Sequence, residues 1–192
     1  MTEYRFYAAG VVPPVSTYAF HEHRERAPHL EQSMHSGRLT KTAQVIRQLS
    51  PQSVVDLGCG DGGLLSLIKD IPSWGYDFQP SNVDGWAQRG VTAQQLDFMA
   101  HPEAINWGEL VVVTEVLEHL ADPHGLVKLI SHNAKYIVAS SPYDETLSQH
   151  ADEHAWGWDM QGYQEMFNPD WILLSHFKVD WCQILTARSK NL

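Results

Sequence analysis

Cysteine is nearly missing from this chain. Cys59 and Cys182 are the two present, which argues against a disulfide framework and makes a reducing compartment the simpler setting. Long apolar runs are lacking too: none approaches the roughly 18 residues that a membrane-spanning helix needs. The opening Met1-Thr2-Glu3-Tyr4-Arg5 starts no basic-then-apolar export signal. These absences lead to the expectation of a soluble, cytoplasmic protein without a membrane partner. Cations are scarce as well, with 13 Lys and Arg against 23 Asp and Glu and a net charge of −10. Tight contact with phosphate backbones relies on many cations, so a nucleic acid is a disfavoured partner. Neither an internal repeat nor a low-complexity tract occurs.

What the chain does have is globular composition, 43% hydrophobic over 192 residues with seven Trp and seven Tyr. That is one core's worth of sequence. From Ser50 onward short β-rich runs alternate with helical stretches, which predicts a doubly wound α/β domain with helices on both faces of a mostly parallel sheet. Strands are expected at 53–57, 74–78, 92–96, 110–114 and 136–139, followed by a hairpin-like pair at 171–175 and 181–187 with its turn near Phe177 to Asp180. Leu39, Ala43, Ile46 and Leu49 share one face of a helix, and Leu64, Leu65, Leu67 and Ile68 suit a second. A further one carries Leu117, Leu120, Leu126, Val127 and Ile130, with a break at Asp122-Pro123, and a short one is expected around 162–167. Residues 1–36, with Pro13-Pro14, His21, His23, His29 and His35, form an N-terminal arm or lid ahead of a domain at 37–192.

The strand ends carry polar residues: Asp56, Asp77, Asp97, and Thr114 with Glu115. Ligands of open α/β sheets bind outside the carboxyl ends of the strands, so these side chains point to one common cleft. After Asp56 the chain runs Gly58-Cys59-Gly60-Asp61-Gly62-Gly63, a turn in which backbone can approach a ligand closely. The spacing Gly58-x-Gly60-x-x-Gly63 also fits a dinucleotide fingerprint, hence a nicotinamide oxidoreductase. Asp56 separates the two readings. An acid at the strand tip repels a diphosphate and attracts an ammonium group. No cation sits near Cys59 in sequence to make it a thiolate, so its expected role is that of a small filler.

Val55-Asp56-Leu57-Gly58-Cys59-Gly60-Asp61-Gly62 resembles the first motif of class I S-adenosylmethionine-dependent methyltransferases, and Gly75-Tyr76-Asp77, Leu96-Asp97-Phe98 and Val113-Thr114-Glu115 follow in the family's order. The resemblance, nearest to the ubiquinone-biosynthesis O-methyltransferase-like branch, implies a Rossmann-like seven-stranded sheet and S-adenosyl-L-methionine as cofactor. It assigns the methionine end to Asp56, Gly58, Cys59 and Gly60, and the ribose to Asp77 beside Phe78. Adenine goes to Asp97 and Phe98, and Thr114 and Glu115 complete the cofactor site. Capping of the following helices is the structural alternative for these acids.

Glu115-Val116-Leu117-Glu118-His119 resembles the segment that binds a divalent metal in ubiquinone-biosynthesis O-methyltransferases and in terminal small-RNA ribose methyltransferases. On that likeness Glu115, Glu118, His119 and, from Asp152-Glu153-His154, His154 are candidate ligands for an ion such as Mg. Such an ion would lower the pKa of a coordinated hydroxyl. Without metal, His119 or His154 is a candidate general base, with Glu115 beside them in the catalytic set. Tyr143, Trp156, Trp158 and Tyr163 follow the fifth strand and are expected either to form the acceptor pocket or to pack as core. Four functions stay open: O-methylation of a small-molecule acceptor, ribose methylation at an RNA end, a noncatalytic scaffold and, on the glycine spacing alone, a nicotinamide oxidoreductase.

Overall fold

The computed structural model describes residues 2–8, 11, 23–143 and 145–192. Pro13-Pro14 and His21 lie outside the described residues. β2 (Val54–Leu57), β3 (Ser73–Asp77), β4 (Ala93–Gln95), β5 (Leu110–Thr114) and β6 (Tyr136–Pro142) pair in parallel, and the antiparallel hairpin β8 (Trp171–Val179) and β9 (Cys182–Ser189) closes one side. The order is β4-β3-β2-β5-β6-β9-β8. This is the expected seven-stranded α/β sheet.

Alternation within the strands divides the core in two, because successive side chains leave opposite faces of a pleated strand. Val54, Leu110, Val112 and Val138 pack with α1 (Ser33–Leu49) and α2 (Gly63–Leu67) on one face. Val55, Leu57, Val111, Val113 and Ile137 pack with α4 (Pro123–Ser131) and α5 (Met160–Phe167) on the other. Asp122 caps α4 and Asp159 caps α5, each accepting a backbone N–H three residues on. The anticipated break at Asp122-Pro123 is therefore a helix start, preceded by a single 3-10 turn at Leu117–His119.

Between β2 and β3 on one side and β5 and β6 on the other, the chain's direction of winding reverses. β2 and β5 stay paired through Leu57 and Val113, and the loops that leave their carboxyl ends toward opposite faces of the sheet leave a crevice.

The structure departs from the sequence expectations in five places. β6 continues past Ala139 to Pro142, and β8 runs on through Phe177 to Val179, so the hairpin turn is Asp180-Trp181, with Asp180 at φ 51°. α1 begins at Ser33, so the helix crosses the boundary expected after residue 36. The stretch after Pro142 contains β7 (Trp156–Trp158), which pairs antiparallel with β1 (Glu3–Arg5), and neither strand was anticipated. Lastly, α3 (Val83–Arg89) follows β3, where no helix was expected.

Candidate active site

A cleft of about 890 Å³ opens over the ends of β2, β3 and β5, within the roughly 300–1,000 Å³ that small-ligand sites occupy. Its floor begins with the glycine turn. Gly58 has φ 77° and a Cβ there would collide with Val116, while Gly60, at φ 53°, faces open space. Only a residue without a side chain keeps that backbone bare at the cleft. The loop is fastened from behind: Gly58 and Cys59 donate to Tyr76 O at 2.8 and 3.1 Å, and Trp86 Nε1 of α3 donates to Gly60 O at 2.7 Å. Cys59 itself lies against Gly75, where even a methyl group would meet Sγ at 2.6 Å. Burial and the nearby acids Asp56 and Asp77 push its thiol well up, so Cys59 is a neutral filler.

Asp56 is fully buried, its Oδ1 has no hydrogen-bond partner, and burial next to Asp77 pushes it up to about 7. Asp77 Oδ2 accepts from Gly60 N at 2.9 Å and Oδ1 accepts from Gln79 N at 2.8 Å and Asn82 Nδ2 at 3.1 Å. Burial raises Asp77 too, and these three donors work against that. A carboxylate has about four acceptor sites, so Asp77 keeps capacity for a ligand hydroxyl. Phe78, Asp97, Phe98 and Thr114 all line the cleft. Asp97 has a structural task as well, since its Oδ1 accepts from Met99 N and Ala100 N at 3.1 Å each.

The metal candidates divide. Glu118, His119 and His154 each offer a ligand atom, all within 4.8 Å of one another. His119 Nδ1 donates to Glu153 O at 3.2 Å and His154 Nδ1 donates to Glu145 Oε2 at 2.5 Å, so on both rings Nε2 carries the lone pair. Glu118 is buried with both oxygens lacking a partner, and burial beside Glu115 pushes its pKa well above the carboxylate range. Two imidazole nitrogens and an orphaned carboxyl fit a divalent cation. Glu115 stands apart from the trio. Its backbone is left-handed at φ 55°, its Oε1 accepts from Ser140 Oγ at 2.7 Å, and Arg38 Nε lies 3.9 Å away.

The aromatic residues expected at the acceptor are elsewhere. Trp158 is wholly buried, donating Nε1 to Glu3 Oε2 at 2.8 Å. Trp156 stacks parallel to it and donates to Leu120 O, and Tyr163 is core against Trp158. Tyr143 lies under the Lys178 ammonium, 3.5 Å from its ring centre, and is not in the cleft wall. The β1–β7 pairing explains the displacement: it draws Trp156 and Trp158 inward under the N-terminal strand.

Arg38, Glu145 and Trp181 were not anticipated, whereas His29 and His35 of the expected arm do border the cleft. Arg38 lines the cleft, is 3% exposed, and has Nε and Nη1 without hydrogen-bond partners. A signal for it existed. Arg38 falls on the buried side of α1 with Leu39, Thr42, Ala43 and Ile46, where a cation needs a reason to be.

A family model described as a methyltransferase domain matches residues 21–189. The chain belongs to the methyltransferase-domain family. No curated protein matches this methyltransferase domain in sequence. Solved structures with the same fold include the N-methyltransferase NodS from Bradyrhizobium japonicum WM9 in complex with S-adenosyl-L-homocysteine, at TM-score 0.69 and 15% identity, covering 88% of this chain and 95% of that one. The methyltransferase domain of bacterial CtHen1-C aligns at TM-score 0.66 and 16% identity, covering 82% and 99%. Magnesium protoporphyrin IX methyltransferase (ChlM) from Synechocystis PCC 6803 with bound S-adenosyl-L-homocysteine does so at 0.65 and 13%, covering 90% and 93%. Among the described residues, no helix is long and apolar enough to cross a membrane.

Proposed function

We propose that this chain transfers a methyl group from S-adenosylmethionine to a hydroxyl oxygen of a small molecule, in a reducing, cytoplasmic setting consistent with its two free cysteines. The observation that carries the reading is a buried acid and a buried cation in one cleft, each with a polar atom that lacks a hydrogen-bond partner: Asp56 and Arg38. Together they match an amino-acid end, Asp56 taking the ammonium and Arg38 the carboxylate. A diphosphate would meet Asp56 and Asp77 instead, which disfavours NAD. Asp77 takes the ribose, and Phe98 and Asp97 the adenine. NodS and ChlM, which hold S-adenosylhomocysteine in this fold, support the choice of cofactor. The segment at 23–31 acts as a roof, since Arg24, Ala27 and His29 border the cleft.

Methyl transfer is an in-line displacement: an oxygen lone pair attacks the methyl carbon, and the carbon–sulfur electrons return to sulfur as a neutral thioether. Holding the two in line supplies most of the acceleration. Without an ion, the hydroxyl proton goes to His154 Nε2, and Glu145, bonded to Nδ1, stabilises the imidazolium that forms; with an ion held there, Nε2 is a ligand and the proton of the acidified hydroxyl leaves to water. Glu118, His119 and His154 would hold a divalent ion, and its chemistry when bound is to acidify the hydroxyl. Glu115 positions Arg38.

A second reading, methylation of ribose at an RNA end, draws on the same trio, and the net charge of −10 weighs against it. A noncatalytic scaffold would not need Asp56, Asp77 and Arg38 kept buried at such cost.

Calorimetry should record micromolar binding of S-adenosylhomocysteine and none of NAD, with Asp77→Ala weakening the former by about 1–3 kcal/mol. NAD binding in preference to the thioether would defeat the reading. Labelled methyl appearing on an RNA 3′ end but on no metabolite would move the assignment to the second one.

A further inference from the structure

The cleft wall contains an aromatic surface that the cofactor assignment leaves unused. His29 comes from the arm, His35 from the first turns of α1 and Trp181 from the β8–β9 turn, and all three border the cleft. The rings lean on one another: His29 and His35 centroids are 4.5 Å apart at 45°, and His35 meets Trp181 edge-on at 5.6 Å and 78°. Trp181 is held in place by its own Nε1, which donates to Met34 O at 3.0 Å. Gly37 packs so closely on Asp180 that an added Cβ would lie 2.9 Å from its Oδ2. Two distant parts of the chain, residues 29–35 and the β8–β9 turn, thus meet to present ring surface to the cavity. Unlike Trp156 and Trp158, Trp181 belongs to neither core cluster and is half-buried.

Two details suit a ligand here. His35 Nδ1 is buried without a hydrogen-bond partner, an unmet polar atom inside an otherwise apolar wall. Burial, with His35 and the cations of Arg38 and Arg24 nearby, pulls His29 down to about 4, and burial beside Arg38 lowers His35 as well, so these two rings carry no charge at neutral pH. Arg38, one turn after His35 on α1, reaches toward Glu115, three residues before Glu118, which ties this wall to the side of the cleft where the trio sits.

We infer that His29, His35 and Trp181 select the methyl acceptor as a planar, hydroxylated ring, stacked on this wall with a polar substituent on His35 Nδ1 and a hydroxyl turned toward Glu118, His119 and His154. The inference rests on the methyltransferase reading above and adds the substrate class to it. Offset stacking or edge contact of one more ring distinguishes a flat acceptor from a puckered one of the same size and hydroxyl pattern.

The probes are catechol and cis-1,2-cyclohexanediol, each supplied with S-adenosylmethionine and Mn2+. The wild-type protein should methylate catechol with a kcat/KM roughly two- to tenfold above that of the saturated diol, the scale of one stacking contact. Trp181→Ala should raise the catechol KM about tenfold and erase most of the preference, with kcat, the Kd of S-adenosylhomocysteine and the melting midpoint little changed. Trp181→Phe, which keeps a ring but loses the N–H, should retain the preference. Equal use of both diols, indifference of the preference to Trp181→Ala, or no turnover of either diol by protein that binds S-adenosylhomocysteine would overturn the inference and leave the cofactor assignment standing. Failure to bind S-adenosylhomocysteine at all would defeat both.

Discussion

A carboxyl group buried without a partner is costly when ionised, so it stays protonated or waits for a cation. Asp56 is in that position, pushed up to about 7. Because its folded value is raised, its contribution to stability is full below the ordinary carboxylate range and is lost as pH climbs through 7. The melting midpoint of the ligand-free protein should therefore fall from pH 6 to pH 8, and Asp56→Asn should flatten that slope. An ammonium ligand reverses the preference, because it needs Asp56 ionised. Binding of S-adenosylhomocysteine at pH 6 should then release a proton and be about tenfold weaker than above pH 7. Calorimetry in two buffers of different ionisation heat measures both quantities, and pH-independent affinity would remove Asp56 from the ammonium site. Asp56 could be read in the sequence because a lone acid before a glycine turn has few other reasons to be there. Arg38 was harder to read, since a helical cation is ordinarily solvated and its place on the apolar side of α1 was the one hint before its burial was seen.

At the scale of elements, one guanidinium joins the glycine turn to the arm and adds to the hold that Trp86 of α3 has on it. Arg89 donates to Asp61 Oδ2 at 2.7 and 3.1 Å and to Glu31 Oε2 at 2.7 Å. The two contacts differ in environment. Asp61 is 2% exposed, whereas the Glu31 side chain is 58% exposed and screened by water. Arg89→Ala strands a buried charge and should cost about 3–5 kcal/mol in urea unfolding. Glu31→Gln should cost less than about 1 kcal/mol, and pairing Arg89→Ala with Asp61→Asn should recover much of the loss. Equal effects of the two single substitutions would contradict this division. The helix that carries Arg89 was within reach of the sequence, bounded as it is by Pro80 and by Gly90 in a left-handed cap. β5 was legible from end to end, as a buried apolar run flanked by polar residues. β1 and β7 were not: each has three residues, and their pairing joins segments about 150 positions apart, which no local pattern encodes.

Across the whole molecule the acids gather where strands from both halves of the sheet converge. Asp56, Asp77 and Glu118 are buried around one cleft in a chain already carrying −10, so its interior favours cationic ligands. The strand-end acids were readable one at a time, but their meeting with His154, and the support of His154 by Glu145, depend on the tertiary fold. That support makes the ion testable apart from turnover. Two imidazole nitrogens and one carboxylate suit a transition ion such as Mn2+ better than Mg2+, which prefers an oxygen shell. Titration of Mn2+ followed by electron paramagnetic resonance should show the free-ion signal suppressed by the wild-type protein. Glu145→Gln, which leaves all three ligands in place but weakens the hold on His154 Nδ1, should cost about 10–100-fold in affinity, and His154→Ala more. Chelator should abolish methylation in parallel. An undiminished free-ion signal, or full activity in chelator, leaves His154 and Glu145 as a metal-free base pair; suppression that survives Glu145→Gln unchanged would separate Glu145 from the ion while keeping the trio.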